Sequence, residues 1–121
     1  MPRPEHIRLR RDFLAANQGR RVASAGFVLL VRQREDGDAA MRAGFTVTKR
    51  IGNSVTRNRL KRRLREIARA VMPLHGHAGA DHVLIGRDAG LTRDYALLLA
   101  DLEKALAKAR KPPPPPREVV P

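Results

Sequence analysis

Between Lys49 and Arg69 the chain carries nine basic residues and a single acid, Glu66, a net charge of +8 in 21 positions, whereas the other 100 residues carry only +5. On a helix turning about 100° per residue, Leu60, Leu64, Ile67, Ala68 and Val71 of this stretch fall on one side. Asn58, Arg62, Arg65 and Arg69 follow each other on the opposite side, with Arg59 and Arg63 along one edge and Lys61 along the other. The apolar side has to be covered by the rest of the fold. The basic side repels itself, because like charges one turn apart cost a few tenths of a kcal/mol per pair, so it is unfavourable unless something anionic lies on it. The chain is therefore expected to cover one face of one helix and to offer the other to a polyanion.

At 121 residues the chain makes one domain. Leu, Ile, Val and Phe supply 30 of those residues, above the level of wholly disordered chains, so a small core is within reach. Residues 1–8 read as an extended arm. Leu9, Phe13 and Ala16 share a face of a short helix ending near Gly19. Arg21-Val22-Ala23 reads as an edge strand, and Gly26 to Gln33 as a strand that begins apolar and turns polar. Ala43 to Lys49 alternates with period two, setting Phe45 and Val47 on one side and Thr46 and Thr48 on the other. The Asp36-Gly37 step between these last two strands predicts a tight hairpin and antiparallel pairing. Asn53 or Ser54 caps the basic helix, which is expected to stop at about Val71, before Pro73. A short strand, His82 to Gly86, precedes a final helix capped by Thr92, with Tyr95, Leu98, Leu99, Leu102 and Leu106 as its core stripe. Lys111 onward, with five consecutive prolines, forms neither helix nor sheet and reads as an extended, disordered tail after a domain spanning 9–110.

No Cys is present, which removes disulfides, thiolate metal sites and cysteine nucleophiles. His75 and His77 fall in a Gly-rich loop, His6 in the arm, and His82 beside a strand, with no third metal ligand in view. Asp12, Asp36, Asp38 and Asp81 form no recognisable carboxylate pair, so neither catalytic nor metal-binding residues are assigned. For the basic stripe the open readings are a solvated surface, an anionic membrane, DNA and RNA. Its apolar side lacks the Trp and Phe of helices that lie on lipid. Arg57, Arg59 and Lys61 suit phosphate, because the planar Arg fork matches two phosphate oxygens. Asn58 offers both a donor and an acceptor to a base edge, a ribose hydroxyl or a hydrated metal.

The run Lys49-Arg50-Ile51-Gly52-Asn53-Ser54-Val55-Thr56-Arg57-Asn58-Arg59-Leu60-Lys61-Arg62-Arg63-Leu64-Arg65-Glu66 resembles the signature of the bacterial ribonuclease P protein subunits, with its Arg-Asn-Arg core at 57–59. Arg11-Asp12-Phe13 is similar to the family's N-terminal charged-Phe element, and Gly44 to Lys49 to the strand that leads into the signature. The likeness covers about residues 5–108. It implies an α+β fold, a two-layer sandwich with a mainly antiparallel four-stranded sheet, element order αβββαβα, and a left-handed βαβ crossover carrying the signature helix. It implies further that a large RNA, holding most of the Mg²⁺, cuts the 5′ leader from precursor transfer RNA, while the protein binds that RNA and the leader and is inactive alone. Carried onto this chain, the residues that bind the catalytic RNA are Lys49, Arg50, Asn53, Arg57, Asn58, Arg59, Lys61, Arg62, Arg65 and Arg69. The leader cleft falls to Arg11, Phe13, Thr46 and Thr48.

That cleft is poor in aromatics, with Asn17 and Leu30 where relatives often carry rings, although single-strand grooves usually combine charge with stacking platforms. Phe13 is open to two readings, a core residue or a platform for a base. A small basic ribosomal or other structured-RNA-binding protein would share the charge and layout, and a nucleoid DNA-binding protein the charge alone. The expectation is a bacterial cytoplasmic protein, because Met1 to Arg11 is too charged for a secretory signal. Its partners are then ribonuclease P RNA and precursor transfer RNA, in a complex of one RNA and one protein, without membrane or DNA.

Overall fold

The structure, a computed structural model, describes residues 3–110. The proline-rich segment expected as a tail lies outside the described residues. Five strands, β1 (Glu5–His6), β2 (Arg20–Ala23), β3 (Phe27–Gln33), β4 (Arg42–Thr46) and β5 (Ala80–Gly86), form one mixed sheet in the order β1-β4-β5-β3-β2. Three helices, α1 (Arg10–Ala15), α2 (Ser54–His75) and α3 (Tyr95–Arg110), complete the α+β fold. β1 pairs β4 and β4 pairs β5 in parallel, while β5 with β3 and β3 with β2 are antiparallel. The expected β–α–β unit is therefore β4-α2-β5.

The sheet has five strands where four are expected because the arm joins it. The amide of Glu5 donates to the Met41 carbonyl at 2.8 Å and that of Ile7 to Ala43 at 3.0 Å, and Ile7 is buried. A strand of two residues leaves no period for a sequence to show. The predicted hairpin between β3 and β4 does not form, because β5 lies between them. β3 is apolar on both faces: Phe27, Leu29 and Val31 join the main core, Val28 and Leu30 a second cluster beyond the sheet. A strand buried on both faces belongs inside a sheet, and β2 and β5 flank it.

Leu60, Leu64, Ile67, Ala68 and Val71 of α2 and Leu98, Leu102 and Leu106 of α3 are all buried on one face of the sheet. Each fully buried Leu or Ile contributes roughly 1.5–3 kcal/mol. The short α1 covers part of the other face. Asn53, not Ser54, caps α2, its Oδ1 accepting from the Thr56 amide at 2.9 Å. The helix runs through Pro73 to His75 instead of stopping at Val71. Met72 is fully buried in the core, and its packing holds the last turn although Pro73 removes one helical donor. Asp94 replaces Thr92 as the cap of α3, its Oδ2 accepting from the Leu97 amide at 3.3 Å. Tyr95, at the first turn, consequently lies exposed and outside the core.

Candidate nucleic-acid interface

The loop ahead of α2 is built for a sharp change of direction. Lys49–Ile51 form a 3-10 turn, and Gly52 follows with φ 153°, a backbone region that strongly favours glycine. A Cβ there would also lie 3.1 Å from the Thr56 side chain. The turn leaves Lys49 and Arg50 exposed at the helix N-terminus, whose free amides and dipole favour an anion. Arg59, Arg62, Arg65, Arg69 and Asn58 are exposed along α2, while Arg57 and Lys61 are half-buried. At 1.5 Å per residue, Arg57 to Arg69 spans about 18 Å. None of these cations forms a salt bridge among the described residues. The Nε of Arg57 is buried with no partner among them, an N–H that costs roughly 1–3 kcal/mol to leave unpaired.

One basic residue of this helix is used by the fold. Arg63, which helical geometry sets at the edge of the stripe, donates to the Leu91 carbonyl at 2.7 Å and to that of Arg93. It ties α2 to the segment before α3. Asn53 spends its Oδ1 on the cap and keeps its amide group.

Of the residues assigned to the leader, Phe13 lies half-buried with its ring across β4. A Cβ on Gly44 would lie 2.5 Å from that ring, so the glycine makes room for it. Phe13 packs with Ile7, Ala16, Val28, Leu30, Val83 and Ile85. Thr46, two residues after Gly44, shares that face, and Arg11 is exposed on α1. Thr48 is set apart from them: with Arg50 it lines a cleft of about 570 Å³ beyond the ends of β4 and β5. Arg87 lines the same cleft and anchors to the Ser24 carbonyl at 2.9 Å. Sequence reasoning missed Arg87, whose only signal is a cation directly after an apolar strand.

The buried histidines and acids serve the fold. His77 lies in the loop between α2 and β5, as expected, but is buried there; His82 is buried within β5, and His75 closes α2 instead of lying in the loop. His82 donates from Nδ1 to the Arg42 carbonyl at 3.1 Å and accepts at Nε2 from the His77 amide at 3.0 Å. Burial pushes its pKa down to about 4. His77 hydrogen-bonds the Leu106 carbonyl at 2.9 Å and is also shifted down, chiefly by burial. Asp81, fully buried, accepts from Arg42 at 2.6 and 2.7 Å and from Arg34 at 3.0 Å, and Arg42 reaches Asp12 of α1 at 3.4 Å. Burial alone would raise the Asp81 carboxyl, but the two guanidinium groups outweigh it and hold it below the usual range. Among the described residues no group of three or more His, Asp or Glu is placed to hold a metal ion, and no helix is long and apolar enough to cross a membrane.

Comparison with known proteins gives one answer at the level of sequence and of fold. The family model for ribonuclease P matches residues 1–110. The ribonuclease P protein component of Erythrobacter litoralis is 50% identical over 109 residues, covering 90% of this chain and 88% of that protein. That of Caulobacter vibrioides is 47% identical over 102 residues, 84% of this chain and 68% of the relative. Among solved structures, the ribonuclease P protein of Thermotoga maritima superposes with a TM-score of 0.72 at 32% identity, covering 86% of this chain and 96% of its own. That of Staphylococcus aureus does so with a TM-score of 0.69 at 28% identity, covering 87% and 94%. A match of this length, joined to the same fold, shows that the chain belongs to the ribonuclease P protein family, the protein subunits of an RNA-based endoribonuclease that matures transfer RNA 5′ ends.

Proposed function

We propose that this protein grips the catalytic RNA of a bacterial ribonuclease P with Lys49, Arg50, Asn53, Arg57, Asn58, Arg59, Lys61, Arg62, Arg65 and Arg69. It holds the 5′ leader of precursor transfer RNA with Arg11, Phe13, Thr46 and Thr48. The observation that carries this reading is the basic face of α2, a row of cations about 18 Å long, without internal ion pairs, on a helix fixed to the core by its other side. Such a face is a line of phosphate contacts, and those contacts position an RNA without reading its sequence. The RNA does the cutting, with Mg²⁺ bound mainly to itself. One protein serves one RNA, in the bacterial cytoplasm.

Phosphate contacts release counterions, so each one lost reduces the slope of log affinity against log salt by roughly 0.7–0.9. Arg59→Ala and Arg62→Ala, both at exposed positions, are expected to reduce that slope for ribonuclease P RNA and to weaken binding to different RNA sequences alike. Unchanged affinity and slope in both variants would make the stripe a solvated surface.

A further inference from the structure

At the C-terminal end of the basic stripe, α2 does not close down on the sheet edge. A groove of about 550 Å³ separates its last turns from β1 and β4, within the roughly 300–1,000 Å³ of small-molecule sites. Its floor is apolar, formed by Phe45 of β4 with Ala68 and Pro73 of α2. Phe45 is half-buried, so part of its ring surface remains free. Its rim carries three cations, Arg65 and Arg69 one turn apart on α2 and Arg3 of the arm, with His6 beside them and Glu5 the one acid in the lining. No salt bridge among the described residues involves Arg3, Arg65 or Arg69.

We propose that this groove takes one unstacked nucleotide of the bound RNA, its base against Phe45 and its phosphate between Arg65 and Arg69. The inference deepens the assignment of α2 to the catalytic RNA and rests on it. Proteins that read structured RNA favour bases splayed from bulges and loops, which stack on aromatic rings beside basic side chains. This chain has only three Phe and one Tyr. Phe27 is fully buried, Phe13 lies on the opposite face of the sheet, and Tyr95 begins α3. Phe45 is thus the aromatic that borders the basic stripe. The remainder of the stripe can hold phosphates, whereas this end can also hold a base.

The test is a titration of the isotope-labelled full-length protein with adenosine 5′-monophosphate, adenosine and inorganic phosphate, following backbone amide resonances. The monophosphate is expected to shift Ala43, Phe45, Ala68 and Arg69 saturably, with adenosine and phosphate each binding at least about fivefold more weakly. Phe45→Leu keeps the apolar bulk without the ring and is expected to weaken the monophosphate about fivefold or more. Arg69→Gln, at an exposed position, is expected to reduce it to the level of adenosine, and keeps the test alive should Phe45→Leu fail to fold. No response at these four positions overturns the proposal. So does phosphate shifting them as strongly as the monophosphate, which would mark a plain anion site or a seat for an acidic protein segment. Binding to ribonuclease P RNA separates the pocket from the stripe. Wild-type protein that binds the RNA, with Phe45→Leu binding it equally well, overturns the pocket and leaves the stripe standing. Wild-type protein that does not bind the RNA overturns the assignment of the stripe, and with it the pocket's RNA ligand.

Discussion

Asp81 and His82 are neighbours in β5 whose side chains serve opposite faces of the sheet. Asp81 gathers Arg34 and Arg42 and, through Arg42, reaches α1. His82 bridges β4 and the turn after α2. Their partners lie up to 47 residues away, so no local pattern names them. The one signal in the sequence is an acid and a histidine inside an otherwise apolar strand, a pattern that requires buried partners. His82 makes stability depend on pH with a definite sign. Its pKa is about 4 in the folded protein against 6.5 for a free side chain, so the unfolded chain takes up the proton first. The stability it contributes is complete above pH 6.5 and is lost as the pH falls towards 4, about 2 kcal/mol of it between pH 7 and pH 5. His77, shifted in the same direction, adds to the loss, whereas Asp81 contributes only below its ordinary range. Urea denaturation at the two pH values reads this directly. Equal stability at pH 7 and pH 5 would mean that His82 is not buried as a neutral ring.

Among the elements, α2 was the most legible, because a 3.6-residue period separates its buried side from its basic side and both occur where that period puts them. Strand pairing was least legible. β3 is buried on both faces and so shows no alternation, and the loop after it looks like a hairpin although Arg34 fills it, donating to the Asp38 and Ala40 carbonyls at 3.1 and 2.7 Å. Of the leader residues, the period-two alternation grouped Thr48 with Thr46, whereas β4 ends at Thr46 and Thr48 lines the cleft beyond it with Arg50 and Arg87. With six residues, α1 is too short to hold its own helix, and Phe13 docks it. Phe13→Leu preserves an apolar anchor and removes the ring. The holoenzyme carrying it is expected to keep its melting temperature within a few degrees and to bind mature transfer RNA normally, while binding leader-bearing precursor about fivefold or more weakly. Equal losses for both transfer RNAs would mean that Phe13 is only an anchor and that the leader is held elsewhere.

For the molecule as a whole, charge and core divide the labour. α2 and α3 pack on one face of the sheet, α1 occupies part of the other, and the basic face of α2 is turned away from both clusters. The net charge of +13 raises the rate of encounter with a polyanion, and the basic face of α2 is fixed to the core by its other side, so the RNA meets a preformed surface. The central claim is that this surface serves an RNA catalyst and is not itself one. The most direct measurement mixes the protein, a bacterial ribonuclease P RNA and a 5′-labelled precursor transfer RNA at low Mg²⁺. Leader release is expected with protein and RNA together, little with the RNA alone, and none with the protein alone. Mg²⁺-dependent release by RNA-free protein, or no gain when protein joins the RNA, would contradict it.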